Sequence, residues 1–378
     1  MRSPLRLLIV SLVLLVAGCP QAEPTPTPEP TPAPVPTPEP PPPPPPLPDP
    51  IVDLHVDTIT QIIDKQLTWD SSQLEASLPS LEAGGVNVVV QAAWIPRGVD
   101  NPRGMALRKI NGILNMVRRS RGKAALVRGP GQLEAVLRQG RIAVVIALEG
   151  GTALTEGEAT LRELHELGLA MVGLTWTESS PYADSSAEPR SGDAGGLTVA
   201  GEEMVRLCND LGIMLDVSHM SDAATAQTVA LSRAPVLASH SNAKALANVP
   251  RNLNAELLTA IAGKGGLVGV MFHGPFVAKG RVATRGDVVD QVKHLVGAIG
   301  AEHVGIGSDW DGIIKSPEGL DRAARLADLR TELELAGVTG EDLRMVNGAS
   351  FLRFWRAVEA AKASAAEKPP PNPPETPR

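Results

Sequence analysis

Eight short apolar runs alternate with helical patterns along most of this chain. The runs lie at residues 51–54, 86–92, 143–148, 170–174, 213–217, 236–238, 267–271 and 304–307. Their Val, Ile and Leu residues are largely continuous, which is typical of parallel strands that are buried on both faces. Helical patterns lie at 103–119, 157–167, 198–211, 223–231, 255–262 and 285–299. This alternation predicts an α/β fold, a (β/α)8 TIM-type barrel, with a doubly wound open sheet as the alternative.

Metal-binding residue types stand at or just past the ends of these apolar runs. Five of them share this position: His55, Asp57, Glu149, His219 and His240. The carboxyl ends of barrel strands converge on one rim, so these side chains can meet there. Three histidines and two carboxylates would hold zinc-like ions and activate a water molecule, and a glutamate can bridge two such ions. Each residue alone has an ordinary structural interpretation, but together they predict a metal-dependent hydrolase.

Further polar residues follow strands of the same predicted barrel. Asp309 ends the eighth strand, where a carboxylate could relay a proton from an attacking water to a leaving amine. Asp311 lies two residues further on and competes for this role. Arg251 follows His240 closely, and a guanidinium suits a bidentate grip on a substrate carboxylate, with an ordinary surface arginine as the alternative. His273 follows the seventh strand and is predicted to be a pocket residue.

Residues 1–18 have the pattern of a signal peptide, with Arg2 and Arg6 ahead of an apolar run. Cys19 follows Val-Ala-Gly, as in a bacterial lipobox, in which cleavage leaves a lipid-modified cysteine at the new N-terminus. A plain secretory signal is the alternative. Lipid chains would anchor the mature protein to a membrane without a spanning helix. The pattern predicts an extracytoplasmic lipoprotein of the bacterial cell envelope, and Pro20 in place of an acidic residue favours the outer membrane.

Composition divides the rest of the chain into one domain and two proline-rich flanks. Residues 19–50 contain 18 prolines, cannot bury a core and are predicted to form an extended tether. Residues 51–363 suffice for one large catalytic domain, and 364–378 are predicted to be a disordered tail. The net charge of −7, without a basic patch, argues against nucleic acid as a partner. Cys208 stands alone in a helical pattern, so no disulfide framework is expected.

Seven stretches of the predicted domain resemble the renal (membrane) dipeptidase family of zinc peptidases. They are DLHVDT, ALEGG, PYADSS, DVSHMSD, ASHSNAKALANVPRNLN, LLTAIAGKGGLVGVMF and HVGIGSDWDG. The resemblance covers roughly residues 50–355 and is most specific over 239–272. It implies an amidohydrolase-type barrel with two zinc ions per chain. By motif position, His55 and Asp57 would bind one zinc ion, Glu149 would bridge both, and His219 and His240 would bind the other.

The same resemblance implies how substrate is handled. Arg251 matches an arginine that contacts substrate, and Asp309 matches a carboxylate near the scissile bond. The family cleaves dipeptides, commonly with a D-residue at the C-terminal side, here expected through a metal-bridging hydroxide. Family members often pair, so a homodimer is an expected assembly.

One position departs from the family pattern. Trp176 stands where the family has a histidine that helps to hold the substrate and polarise its carbonyl. Trp donates one hydrogen bond but carries no charge, so a drier and narrower pocket is expected. A metal-dependent amidohydrolase acting on another amide or a cell-wall peptide is therefore one alternative. A non-catalytic zinc- or peptide-binding lipoprotein is the other.

Overall fold

The computed structural model describes residues 47–188, 195–313 and 315–366. All of these residues belong to one compact unit. The predicted signal peptide, Cys19 and nearly all of the predicted tether lie outside the described residues, as does the predicted tail beyond Ala366. The proposed domain boundaries therefore stay predictions. Within the described residues, no helix combines the length and the apolar character that crossing a membrane requires.

Parallel strands form the centre of the fold. The described strands are β1 (Val52–Val56), β2 (Val88–Trp94), β3 (Ala124–Leu126), β4 (Ile142–Glu149), β5 (Leu169–Gly173), β6 (Met214–Asp216), β7 (Leu237–Ala238), β8 (Leu267–Val270) and β9 (Val304–Ile306). Eight of them pair in the order β1-β2-β4-β5-β6-β7-β8-β9, and the short β3 pairs with the first residues of β4. This order follows the chain around a ring, as in a barrel.

Contacts between the first and last strands nearly close this ring. Val56 forms a parallel bridge with Trp310. Asp57 N donates to the Trp310 carbonyl at 2.9 Å, and Asp309 N donates to the His55 carbonyl at 2.9 Å. The predicted (β/α)8 barrel is confirmed and the open sheet is wrong, because an open sheet would leave β1 and β9 at separate edges. These contacts also bring the segment after β9 beside the end of β1.

Helices surround the strands. They are α1 (Thr58–Asp64), α2 (Leu78–Gly84), α3 (Pro102–Arg119), α4 (Pro130–Arg138), α5 (Glu158–Glu166), α6 (Val199–Leu211), α7 (Asp222–Leu231), α8 (Ala255–Gly263), α9 (Gly274–Val277), α10 (Arg285–Ile299), α11 (Leu326–Leu335), α12 (Gly340–Arg344) and α13 (Ser350–Ala366). The six helical patterns in the sequence correspond to α3, α5, α6, α7, α8 and α10. Capping residues in the sequence mark where three of these helices begin. The side chains of Thr198, Ser221 and Asn254 each accept a backbone N–H from the first turn of α6, α7 and α8, respectively.

Alternate residues of β4 belong to two different apolar clusters. Val144 and Ile146 pack with residues of the surrounding helices, whereas Ala143 and Val145 pack with phenylalanines of α13. This second cluster combines residues from strands around the ring with residues of α4 and α13, and its strand side chains fill the barrel interior. Because side chains alternate across a strand, Glu149 at the end of β4 points to the same side as Ala143 and Val145. Its carboxylate therefore lies at the rim of the interior.

An irregularity in β1 brings two more polar residues to this side. The pairing of β1 with β2 shifts register just before Val56. Leu54 belongs to the interior cluster and Val56 to the outer cluster, although residues two apart in a regular strand face the same way. After the shift, His55 and Asp57 flank the outward-facing Val56. The register shift thus turns both side chains towards the barrel interior.

The loop after β9 is held by a buried carboxylate. Asp311 accepts hydrogen bonds from Thr58 Oγ1 at 2.7 Å, from Glu75 N at 2.8 Å and from Ala76 N at 3.2 Å. In return, Asp311 N donates to Glu75 Oε2 at 2.7 Å. Burial raises the pKa of Glu75 to about 7 from 4.5, and the nearby charges of Asp311 and Asp321 act in the same direction. This clamp joins the segment after β9 to the segment before α2.

Glu75 should make the stability of the fold pH-dependent. Between pH 4.5 and about 7 the folded protein binds more protons at Glu75 than the unfolded chain does, so the free energy of unfolding should fall as pH rises through this window. Glu75→Gln still accepts from Asp311 N and should remove this loss, a gain on the order of 1–3 kcal/mol above pH 7. Urea unfolding at pH 5 and pH 8 measures it. Equal slopes for wild type, Glu75→Gln and the exposed control Glu334→Gln would contradict the assignment.

Candidate metal centre

The five predicted ligands meet at the carboxyl-terminal rim of the barrel, in two groups. In the first group, His55 Nε2 lies 3.6 Å from Asp57 Oδ2 and 3.5 Å from Glu149 Oε2. In the second group, His219 Nε2 lies 3.0 Å and His240 Nε2 3.6 Å from Glu149 Oε1, and the two ring nitrogens are 3.1 Å apart. Glu149 thus turns one oxygen towards each group. This is the arrangement expected of a bridging carboxylate.

Local backbone geometry holds this rim in place. His219 and Asp309 have φ angles of 68° and 67°, a left-handed conformation that non-glycine residues seldom adopt. Such strain persists only where the surrounding structure enforces it, and it is common at functional sites. Gly312 approaches so closely that a Cβ there would lie 2.2 Å from Asp57 Oδ2. Glycine at the last position of the DWDG sequence therefore leaves room for the Asp57 carboxylate.

The charges of the centre favour bound cations. Burial alone would lower the pKa of His55, but the negative charges of Glu149 and Asp57 outweigh it and raise that pKa well above its usual value. Burial lowers the pKa of His219 to about 4 and that of His240 well below its usual range. The last two rings are therefore neutral at pH 7. Neutral imidazole is the form that binds a metal ion, and the carboxylates supply the compensating negative charge.

Unsatisfied buried atoms indicate what these groups could hold. Among the described residues, His55 Nε2 and Asp57 Oδ1 are buried and have no hydrogen-bond partner. Such orphans are rare, because an unpaired buried polar atom costs free energy. Ligand atoms of His55, Asp57 and Glu149 lie within 4.8 Å of one another, and so do those of Glu149, His219 and His240. The nitrogen and oxygen donors fit a metal site in both groups.

Asp309 stands beside the first group, and Asp311 does not compete with it. Asp309 Oδ1 lies 3.9 Å from His55 Nε2. Burial raises the pKa of Asp309 well above its usual value, and the charges of Asp57 and Glu149 add to this effect. The Asp311 carboxylate is instead engaged in the clamp described above. The geometry therefore favours Asp309 over Asp311 for the proton-relay role, a choice that the sequence alone left open.

Arg251 is buried next to the second group. Its Nη1 donates to Ser241 Oγ at 2.7 Å and its Nη2 to the His240 carbonyl at 2.7 Å. Its Nε has no partner among the described residues. Burial lowers the pKa of Arg251 to about 10, and the charges of Asp216, Asp309 and Glu149 oppose this effect. A surface arginine is thereby ruled out.

A cavity of about 340 Å³ opens onto the centre. It is lined by Asp57, Thr60, Gln61, Trp94, Glu149, Trp176, Thr177, His219, Met271, His273, Phe276, Asp309, Asp311, Gly312 and Ile313. Trp176 and His273, both singled out from the sequence, belong to this lining, whereas Arg251 does not. The wall contains several apolar side chains, so the cavity suits a substrate with an apolar part.

Trp94 and Lys109 were not found by sequence reasoning. The Trp94 ring packs against Trp176 with centroids 4.9 Å apart, and Trp176 lies 6.2 Å from the His219 ring. Lys109 Nζ lies 5.0 Å from the centre of the Trp94 ring and donates to Thr60 Oγ1 at 2.8 Å. Burial lowers the pKa of Lys109. The sequence signal was the position of Trp94 just past the apolar run 86–92, and in the structure it pairs with Glu149 on the neighbouring strand.

Sequence reasoning also did not single out Asp53, a buried carboxylate that supports the segments carrying His55 and Asp309. Asp53 accepts from Ser308 Oγ at 2.5 Å and from Ser308 N at 2.9 Å, and it also accepts from His55 N at 3.2 Å. It thereby ties β1 to the segment that carries Asp309. A lone aspartate within an apolar strand was the sequence signal, because a buried carboxylate needs several donors.

Comparisons with known proteins agree with this geometry. The family model described as membrane dipeptidase (peptidase family M19) matches residues 48–369. Dipeptidase aclJ of Aspergillus oryzae is 37% identical over 235 residues, which cover 61% of this chain and 55% of that protein. Dipeptidase ataJ of Aspergillus terreus is 30% identical over 315 residues, which cover 75% of this chain and 77% of that protein.

A solved structure extends the likeness to nearly a whole domain. The crystal structure of dipeptidase AC, a metallopeptidase of family M19, superposes with a TM-score of 0.77 at 26% identity. The match covers 82% of this chain and 98% of that one. For three of the curated relatives, in contrast, the chain spans only 55%, 65% and 58% of their length. The family match over 48–369 and the shared barrel lead to one conclusion: the chain belongs to the membrane dipeptidase family, peptidase family M19.

Proposed function

We propose that this protein is a zinc-dependent dipeptidase that holds two zinc ions, one in each ligand group. The observation that carries this proposal is Glu149, whose two carboxylate oxygens face two separate groups of buried ligand atoms. His55 and Asp57 would hold one ion, and His219 and His240 the other. Bound there, the ions would supply a water activated for attack on the peptide carbonyl and a Lewis acid for that carbonyl.

The remaining residues of the site have roles that follow from their chemistry. Asp309 faces the cavity, and its raised pKa makes it a good proton carrier between the attacking water and the leaving amine. Arg251 brings a buried positive charge close to the centre, and its Nε has no hydrogen-bond partner among the described residues, which suits attraction of a substrate carboxylate. A dipeptide has a scissile amide next to a free carboxylate, so both roles fit one small substrate.

The first test is hydrolysis of a dipeptide panel by the purified chain loaded with zinc. L-Xaa-L-Xaa and L-Xaa-D-Xaa dipeptides should be cleaved, and a chelator should abolish cleavage reversibly. Glu149→Gln should lower kcat/KM by at least about 1,000-fold, or about 4 kcal/mol, because an amide cannot offer an anionic oxygen to both groups. Exposed Glu334→Gln is the matched control. Near-normal turnover by Glu149→Gln with its thermal transition intact would refute the two-metal site.

Trp176 favours a second candidate, an amidohydrolase acting on another amide or on a cell-wall peptide. The indole packs on Trp94 within the cavity wall and carries no charge next to His219. A neutral aromatic wall offers apolar contact in place of a charged hydrogen-bond donor to a carbonyl. Simple dipeptides would then be held more weakly than substrates with a large apolar group.

Exchanging this residue distinguishes the two candidates. Trp176→His should raise kcat/KM for small dipeptides by roughly 10-fold or more if the protein is a dipeptidase whose site lacks one carbonyl contact. Activity on bulkier apolar amides should fall in the same variant, because part of the aromatic wall is lost. Phe in place of Trp176 is the control for ring contact alone. No gain on any dipeptide would favour the second candidate.

Lipid anchoring through Cys19 is also proposed, from the lipobox pattern in the sequence. The tether that follows could extend up to roughly 100 Å at ~3.1 Å per residue, which would keep the barrel clear of a membrane. The outer membrane is the proposed site, with the barrel outside the cytoplasm.

Anchoring can be tested in a bacterial host by fractionation. Wild-type protein should sediment with membranes and incorporate labelled fatty acid, whereas Cys19→Ser should do neither. Cys208→Ser, at the buried free cysteine of α6, is the control and should behave as wild type. Membrane association of Cys19→Ser at the wild-type level would disprove the lipid anchor.

A further inference from the structure

One buried hydroxyl contacts a ligand from each metal group. Ser239 Oγ lies 2.7 Å from Nδ1 of His240 and 3.3 Å from Nδ1 of His55. It also lies 2.5 Å from Asp216 Oδ2. The three side chains around it are at most 5% exposed, and Ser239 itself is fully buried. The histidines come from opposite groups, yet their inner ring nitrogens share one partner.

The direction of these hydrogen bonds follows from counting protons. Asp216 Oδ1 accepts from the backbone N–H groups of Ser218 and Ser239, both at 2.9 Å. With the hydroxyl on Oδ2, three donors face this carboxylate, which makes it the acceptor. A serine hydroxyl has one proton and two lone pairs, so the Ser239 proton goes to Asp216. The oxygen then accepts N–H from Nδ1 of both histidines, at 2.7 and 3.3 Å. The Ser218 hydroxyl lies 3.4 Å from the same oxygen and is the most distant of these hydrogen-bonding neighbours.

This hydrogen-bond pattern sets the tautomer of both ligands. A neutral imidazole with its proton on Nδ1 has a free lone pair on Nε2. Nε2 is the atom that His55 and His240 turn towards Glu149, at 3.5 and 3.6 Å. Ligand atoms of Asp216, His55 and His240 also lie within 4.8 Å of one another, but Ser239 Oγ occupies the space between them. Asp216 therefore supports the ligands and does not form a third cation site.

We infer that Ser239, held by Asp216, is a positioning residue that couples the two metal positions by fixing His55 and His240 in the same tautomer. The inference rests on the ligand roles proposed above. Outer hydrogen-bond partners of metal ligands orient the ring and raise its basicity, and their loss costs 10- to 100-fold in metal affinity. Because one hydroxyl serves both groups, its removal should weaken both positions together.

Ser239→Ala is the direct test, with Ser350→Ala as its control for the loss of a buried hydroxyl. Ser350 is likewise fully buried, but its hydroxyl donates to the Val304 carbonyl at 2.9 Å, away from the ligand histidines. Full-length protein is stripped of metal and titrated with zinc against a fluorescent chelator. Ser239→Ala should bind both zinc ions about 10- to 100-fold more weakly, whereas Ser350→Ala should match wild type.

A ring-tautomer measurement provides a readout independent of metal affinity. In nitrogen-15 NMR at a pH high enough to leave both rings neutral, wild-type His55 and His240 should both carry the proton on Nδ1. Asp216→Asn is the variant for this measurement, and it also replaces Ser239→Ala if that protein fails to fold. Its amide can donate to Ser239 and turn the hydroxyl proton towards a ring, so one histidine should change tautomer.

The outcomes separate this inference from the proposed function. Unchanged affinity for both ions in Ser239→Ala, or loss at one position alone, would overturn the coupling while leaving the two-zinc site intact. So would wild-type tautomers in Asp216→Asn. A wild-type chain that binds no zinc at all would refute the proposed function itself.

Discussion

The architecture of the site depends on one buried carboxylate shared between two groups of ligands. Glu149 ends the longest strand of the barrel, and a negative charge at that depth is unfavourable unless cations or donors surround it. Cations held together with the histidines at the ends of β1, β6 and β7 would meet this need. These side chains come together only because parallel strands in a closed barrel end at the same rim. Barrel closure between β1 and β9 and the register shift in β1 are therefore conditions for the chemistry.

Successive layers of hydrogen bonds support this centre. Asp53 with Ser308, and Asp216 with Ser239, are carboxylate–serine pairs behind the ligands, one at β1 and β9 and the other at β6 and β7. Each carboxylate collects backbone N–H groups from two strands, which joins adjacent strands where their ends would otherwise separate. In the pair at β6 and β7, the Ser239 hydroxyl also reaches a ring nitrogen of His55 and of His240, so this pair would set the tautomer of both rings.

The cavity wall is where this chain is expected to differ from the family pattern. Trp176 and Trp94 form an aromatic surface beside His219. The buried Lys109 ammonium lies over the Trp94 ring. Trp176 follows β5, and none of the five proposed ligands lies on that strand or in the segment that joins it to α6. Substrate preference can therefore change at Trp176 without disturbing the ligands, which is consistent with an intact metal centre beside an altered pocket.

The sequence by itself determined the barrel, six helices to within a residue, and the five side chains that meet at its rim. These features are local: continuous apolar runs, capping residues, and a polar residue where each run ends. Only the tertiary structure decided which way His55 and Asp57 face, that Asp309 and not Asp311 borders the centre, and that Arg251 is buried. It also revealed Trp94 beside Trp176, and Ser239 between two histidines 185 positions apart in the sequence. The reason is physical: register shifts, barrel closure and shared hydrogen-bond partners arise between strands that are distant in the chain, so no local pattern encodes them.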